Sequence, residues 1–183
     1  MKKIAVLFFA LSALYANNRT AFIFDATTDL GIATVKAYDA RGWSVFAGVD
    51  KVPSMPHRIS NVQYVKIDPK SVSSIVASLQ KVYEKDFHLD AIVITKSTQE
   101  MSSTAANFLR DERQGHLIYL LESEAEFAKY NEMATAQASE LTLSNVDVSI
   151  VAPSHVVTFG KLQRVSPPTS SLPDAIAEIA PRL

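Results

Sequence analysis

Residues 20–51, TAFIFDATTDLGIATVKAYDARGWSVFAGVDK, decide the fold. Ala21 to Phe24 is a wholly apolar run, the pattern of a strand buried on both faces of a parallel sheet. Asp25 to Asp29 supplies turn residues, and Gly31 opens a helix that carries Ile32, Val35, Lys36 and Tyr38. Arg41-Gly42 closes that helix with a basic last turn and a glycine just past the cap. Ser44 to Val49 is a second apolar strand, stopped by Asp50. Strand, turn, helix and strand make half of a mononucleotide-binding unit, with its turn where a pyrophosphate meets a helix N-terminus.

Outward from this unit the same alternation continues. Pro53 to Ser60 reads as a loop, and Val62 to Ile67 as a third strand. Ser71 to Lys85 places Val72, Ile75, Val76, Leu79, Val82 and Tyr83 at helical spacing. Leu89 to Thr95 is the most hydrophobic strand, Ser102 to Arg113 a short helix, and His116 to Leu121 another buried strand. Ser123-Glu124-Ala125-Glu126 has the form of a capping box and predicts a helix to about Leu143. Asn145 to Val151 is the sixth strand, ended by Pro153. Ser154 to Ser171 reads as loop, and Leu172 to Ile179 as a last short helix. Strands separated by helices predict an α/β three-layer Rossmann fold, a doubly wound parallel sheet of about six strands in the order 3-2-1-4-5-6.

With 183 residues, 48% hydrophobic and 20% charged, the chain suits one globular domain. Lys+Arg 18 against Asp+Glu 19 and no basic cluster give no sign of nucleic-acid binding. The absence of cysteine excludes disulfides, thiolate metal sites and cysteine nucleophiles. His57, His88, His116 and His155 are scattered, so no metal site is expected. Residues 1–16 stand apart: Lys2-Lys3, the apolar run Ile4 to Leu14 and then small residues have the layout of a signal peptide. A hydrophobic first strand, a buried helix and an uncleaved membrane anchor are the alternatives, and the single domain is then 17–183. A removed leader implies a secretory, secreted or periplasmic location; otherwise the chain is cytoplasmic.

Six segments in this order resemble the short-chain dehydrogenase/reductase family over about Thr20 to Thr158. Ala26-Thr27-Thr28-Asp29-Leu30-Gly31-Ile32-Ala33 stands where members have a TGxxxGxG turn; of its glycines only Gly31 remains, with Ala33 in the place of the third. ARGWSVFAGVDK resembles the strand whose end reads the adenosine ribose, YVKIDPKSV the strand ending in an aspartate beside adenine, and LDAIVITKS the strand ending in NNAG. GHLIYLLES resembles the strand leading to the catalytic serine, and VDVSIVAPSHVVT the sixth strand with its PG turn and a following threonine. The segment from Ile94 to His116 is shorter than usual, which predicts a truncated helix there.

The resemblance implies NAD(P) as cofactor, without preference between the two, and a small alcohol or carbonyl as substrate. It places Thr27, Asp29, Leu30, Gly31, Ile32, Asp50, Lys51, Asp68, Thr95, Pro153 and Thr158 against the cofactor. It gives Tyr130 and Ser123 the catalytic positions, and the 123–143 helix a homodimer face. Asp50 follows Gly31 by 50 − 31 = 19 residues, near the spacing of a ribose-binding acid. Lys51 beside it offers the opposite charge. The family's lysine four residues after the tyrosine is Ala134 here, so nothing in the sequence draws the Tyr130 phenol toward neutral pH. Neighbouring Lys129 is expected on another helix face. A catalytically silent Rossmann protein, serving as a nucleotide-binding or protein-interaction module, is the alternative reading.

Overall fold

The structure, a computed structural model, describes residues 19–53, 59–153 and 156–159. The leader, His57, Ser154, His155 and the expected helix at Leu172 to Ile179 lie outside the described residues. The strands are β1 (Thr20–Phe24), β2 (Ser44–Val49), β3 (Gln63–Lys66), β4 (Ala91–Ile94), β5 (Gly115–Leu120), β6 (Val146–Val151) and β7 (Val156–Phe159). The helices are α1 (Asp29–Asp39), α2 (Val72–Asp86), α3 (Gln99–Glu112) and α4 (Phe127–Leu141). The sheet order is β3-β2-β1-β4-β5-β6-β7. Every neighbouring pair from β3 to β6 is parallel, as expected.

β7 corrects the loop expected after Ser154. It runs antiparallel to β6, with Val151 opposite Val156 and Ser149 opposite Thr158. The segment Val156-Val157-Thr158-Phe159 consists of β-branched and aromatic residues, which suit a pleated edge strand. Pro153 is the last described residue before this strand, and 160–171 of the expected loop lie outside the described residues.

The sheet's two faces are filled differently. On one, Phe22, Phe24, Ile92, Ile94, Leu117 and Tyr119 pack beneath α2, α3 and α4. On the other, Ala21, Ala47 and Ala91 are small, and Val35 and Tyr38 of α1 settle over them with Trp43. Burying a side chain such as Phe22 or Phe24 contributes about 2 kcal/mol. Tyr38 and Trp43 meet edge to face with ring centroids 4.8 Å apart. The helix ends follow local chemistry: Thr28, Ser71 and Thr98 each cap a helix through a side-chain oxygen. Gly42 takes φ +77° just after α1, a conformation that a side chain strains.

Two boundaries differ from expectation. α3 begins at Gln99, three residues before Ser102, and runs for 14 residues. The capping box at Ser123 does not form. Ser123 makes no side-chain cap bond, a single 3₁₀ turn covers Glu124–Glu126, and α4 starts only at Phe127. Three acidic side chains at Glu122, Glu124 and Glu126 stay exposed there instead. Among the described residues, no helix is long and apolar enough to cross a membrane.

Candidate functional site

α1 lies on one face of the sheet and α3 on the other, so the chain leaves β1 and β4 in opposite directions. The mouth between their carboxyl ends is the switch point of the fold, the place where such sheets bind ligands. Phe24 pairs with Ile94 there, and the Thr95 hydroxyl donates to the Phe24 carbonyl across the gap at 3.2 Å.

The bend between β1 and α1 is built from main chain and one threonine. Asp25 takes φ 54°, and its carbonyl accepts from both the amide and the hydroxyl of Thr28, at 3.3 and 3.1 Å. Thr28 Oγ1 in turn accepts the Gly31 amide at 3.1 Å. The Ala26 amide donates to the Gly48 carbonyl at 3.0 Å, which ties the bend to β2. A Cβ on Gly31 would stand 2.4 Å from the Asp25 carbonyl oxygen, so only glycine lets the helix come this close. Gly31 is therefore the third residue of α1, not its opening one. The Asp29 and Leu30 amides are left at the helix start without a partner among the described residues. Ile32 donates to the Thr28 carbonyl and leans outward.

The side chains expected around the cofactor are spread along the same edge. Thr27 is exposed and turns its hydroxyl toward the Asp25 carboxylate, at 3.5 Å. Asp29, Asp50 and Lys51 are exposed, and Asp50 Oδ1 accepts the Lys51 amide at 2.7 Å. Asp68 builds the turn into α2: its Oδ1 accepts the Lys70 amide and its own amide donates to Ser74 Oγ. Pro153 is exposed beyond the end of β6. Thr158 departs from expectation. It sits within β7 opposite Ser149, its hydroxyl 2.6 Å from Ser149 Oγ, back from the carboxyl edge.

Tyr130 and Ser123 are not brought together by any hydrogen bond. Tyr130 lies in the first turns of α4, only 4% exposed, and its hydroxyl accepts the Ser97 amide at 3.2 Å just past β4. Burial pushes its phenol above the usual tyrosine value; the Ser97 amide lowers it in part, and Glu126 raises it further. Lys129 is nearer than helical spacing predicts: its long stem bends so that Nζ lies 5.8 Å from the Tyr130 ring centroid. No hydrogen bond joins this ammonium to the Tyr130 hydroxyl among the described residues.

Sequence reasoning missed the polar cluster behind Tyr130. Tyr119 meets the Tyr130 ring at a tilt with centroids 5.5 Å apart and donates its hydroxyl to Gln137 Oε1, while Ser97 and Ser102 share a hydrogen bond. Burial, against hydrogen bonds with Ser102 and Gln137, pushes the Tyr119 phenol up to about 12. The signal was present as Ser102 and Gln137 on otherwise buried helix faces. Between α3 and α4 a groove of about 700 Å³ runs past this cluster. Among the described residues no group of three metal-capable side chains exists.

No family model and no curated protein matches the chain. Solved structures do. An NAD⁺-bound xylitol dehydrogenase is similar with TM-score 0.66 and 10% identity, over 75% of this chain and 70% of that one. An NADH-dependent reductase, A1-R′, complexed with NAD gives TM-score 0.63 and 14% identity over 75% and 78% of the two chains. A short-chain dehydrogenase from Streptomyces avermitilis gives TM-score 0.62 and 14% identity over 91% and 83%. The fold of this chain is the one that these dehydrogenase and reductase structures share.

Proposed function

We propose that this chain binds a nicotinamide dinucleotide at the mouth between β1 and β4 and is built as an oxidoreductase for a small alcohol or carbonyl. The observation behind this reading is the Gly31 cradle. A methyl group there would strike the Asp25 carbonyl, so the bend holds α1 as close to the sheet as a dinucleotide turn requires. The NAD-bound dehydrogenases of the same fold support the choice of ligand.

The main chain fits the cofactor. The Asp29 and Leu30 amides and the positive end of α1 suit a pyrophosphate. Asp50, at the end of β2, suits ribose hydroxyls and disfavours a 2′-phosphate, while adjacent Lys51 pulls the other way. Asp25 and Asp29 place negative charge beside the same turn and weaken binding. A bound nicotinamide supplies or accepts a hydride. Tyr130 is the phenol that the fold delivers to the end of β4, where a substrate oxygen would be held. Its raised pKa keeps it protonated through neutral pH, so it can donate a hydrogen bond but is a poor base.

That last point favours a second reading, a catalytically silent dinucleotide-binding module. The test is oxidation of NADH and NADPH by the full chain with short aldehydes and ketones. Turnover abolished in Tyr130→Phe supports the enzyme. Cofactor binding with no turnover supports the silent module, and absence of both rejects the proposal.

A further inference from the structure

We propose that Lys96, carried on the turn between β4 and α3, is a positioning residue for Tyr130: its ammonium pairs with the hydroxyl oxygen as the phenol gives up its proton. The chemical use of this pair rests on the enzyme reading above; the pairing itself does not. On α4 no cation meets that oxygen. Position 134, four residues beyond Tyr130, is alanine, and the Lys129 ammonium lies over the ring, 5.8 Å from its centroid. Burial raises the phenol, the Ser97 amide offsets this in part, and Glu126 adds to it. Without a cation from elsewhere such a phenol is a poor base.

The turn after β4 brings that cation within reach. The Ser97 amide donates to the Tyr130 hydroxyl at 3.2 Å, and Lys96 is the residue on the other side of that peptide bond. Standard peptide dimensions then place the Lys96 Cα no more than about 6 Å from the hydroxyl oxygen. The four-carbon stem of a lysine extends roughly 6 Å, enough to lay the ammonium on a phenolate there. Lys96 is exposed and has neither a hydrogen bond nor an ion pair among the described residues, so no contact must break for it to turn. The Ser97 hydroxyl is bonded to Ser102 and to the Thr98 carbonyl, which holds the peptide carrying Lys96 against Tyr130. The other titratable groups set around Tyr130 are Glu126, Lys129 and Glu132 of its own segment and Tyr119 of β5. The α3 residues that share its groove, Gln99, Ser103 and Asn107, carry no charge. An ammonium beside the oxygen favours the ionised phenol. The phenolate can then take the proton of an alcohol, and the phenol can return one to a carbonyl oxygen.

The probe is a ring-fluorinated tyrosine installed in place of Tyr130 alone and titrated in the full chain by fluorine NMR. Its phenol ionises at lower pH than that of tyrosine, where the lysines are still charged. Lys96→Met should raise this titration by about one pH unit, and Lys96→Arg, which keeps the charge, should leave it near the wild-type position. Both replacements alter an exposed residue. Lys129→Gln should move it less than Lys96→Met does. Where short aldehydes and ketones are turned over, Lys96→Met should lower kcat about 100-fold with KM little changed. Equal titration in wild type and Lys96→Met overturns the proposal. So does a larger shift in Lys129→Gln, or a loss of turnover in Lys96→Met without any shift. NADH binding is followed in the same samples: its absence sinks the dinucleotide reading, while the titration still decides whether Lys96 serves Tyr130.

Discussion

The starts of α1 and α4 stand at the same edge of the sheet and are held by different means. At α1 the bend rests on the Asp25 carbonyl, the Thr28 hydroxyl and the bare Cα of Gly31. At α4 the anchors are long side chains: Tyr130 on the Ser97 amide, and Tyr119 on Gln137. A main-chain device survives heavy substitution because most residue types supply the same atoms. A side-chain device changes its chemistry with each replacement. The β1–α1 bend accordingly rests on atoms that most residue types supply, whereas the hold on Tyr130 and Tyr119 depends on those side chains themselves.

The most disruptive way to probe this contrast is Gly31→Ala. Its methyl group meets a backbone oxygen that cannot swing aside, so the loss in chemical denaturation should be roughly 3 kcal/mol. A loss below about 0.5 kcal/mol would show that the bend yields easily and that its intactness means little.

Acid titration sharpens the contrast by isolating a third element that belongs to neither helix start. His116, 1% exposed, is hydrogen-bonded at Nε2 to Ser149 Oγ at 2.7 Å, and its Nδ1 has no partner among the described residues. Burial lowers its pKa from 6.5 to about 4. Between these values the unfolded chain binds the extra proton and the folded chain does not. Stability is therefore full above pH 6.5 and falls as pH drops toward 4, by up to roughly 3 kcal/mol. His116→Gln should flatten that window, whereas variants at either helix start should keep its slope.

Gln137→Leu removes the Tyr119 acceptor and should cost about 1.5 kcal/mol, read from the shift in urea midpoint. Thr28→Ala strips the cap from α1 and should cost about 1 kcal/mol, with the bend still held by the amide of residue 28. If Thr28→Ala proved the more damaging of the two, the order of side-chain and main-chain dependence argued above would be reversed.

The layered sheet was legible because its strands are short apolar runs separated by amphipathic helices, and β2 matches its expected span of Ser44 to Val49. β7 was not legible, because Pro153 and the serine-rich segment beyond it outweigh four strand-forming residues. The N-cap at Ser123 failed although its spacing was right. Its side chain makes no cap bond, and the chain turns through a 3₁₀ segment before α4 begins. Spacing places Lys129 and Tyr130 on different faces of a helix, but it takes no account of a lysine stem long enough to fold back. The cluster of Tyr119, Ser102 and Gln137 joins residues from three separate elements, a juxtaposition that no local pattern announces.

The most direct test of the central claim follows the Asp29 and Leu30 amides by NMR as NADH is added to the full chain. Both signals should shift and saturate together, with the Gly31 amide following because Thr28 ties it to the same bend. Signals unmoved at about 5 mM NADH, or shifts confined to the α3–α4 groove, would contradict it.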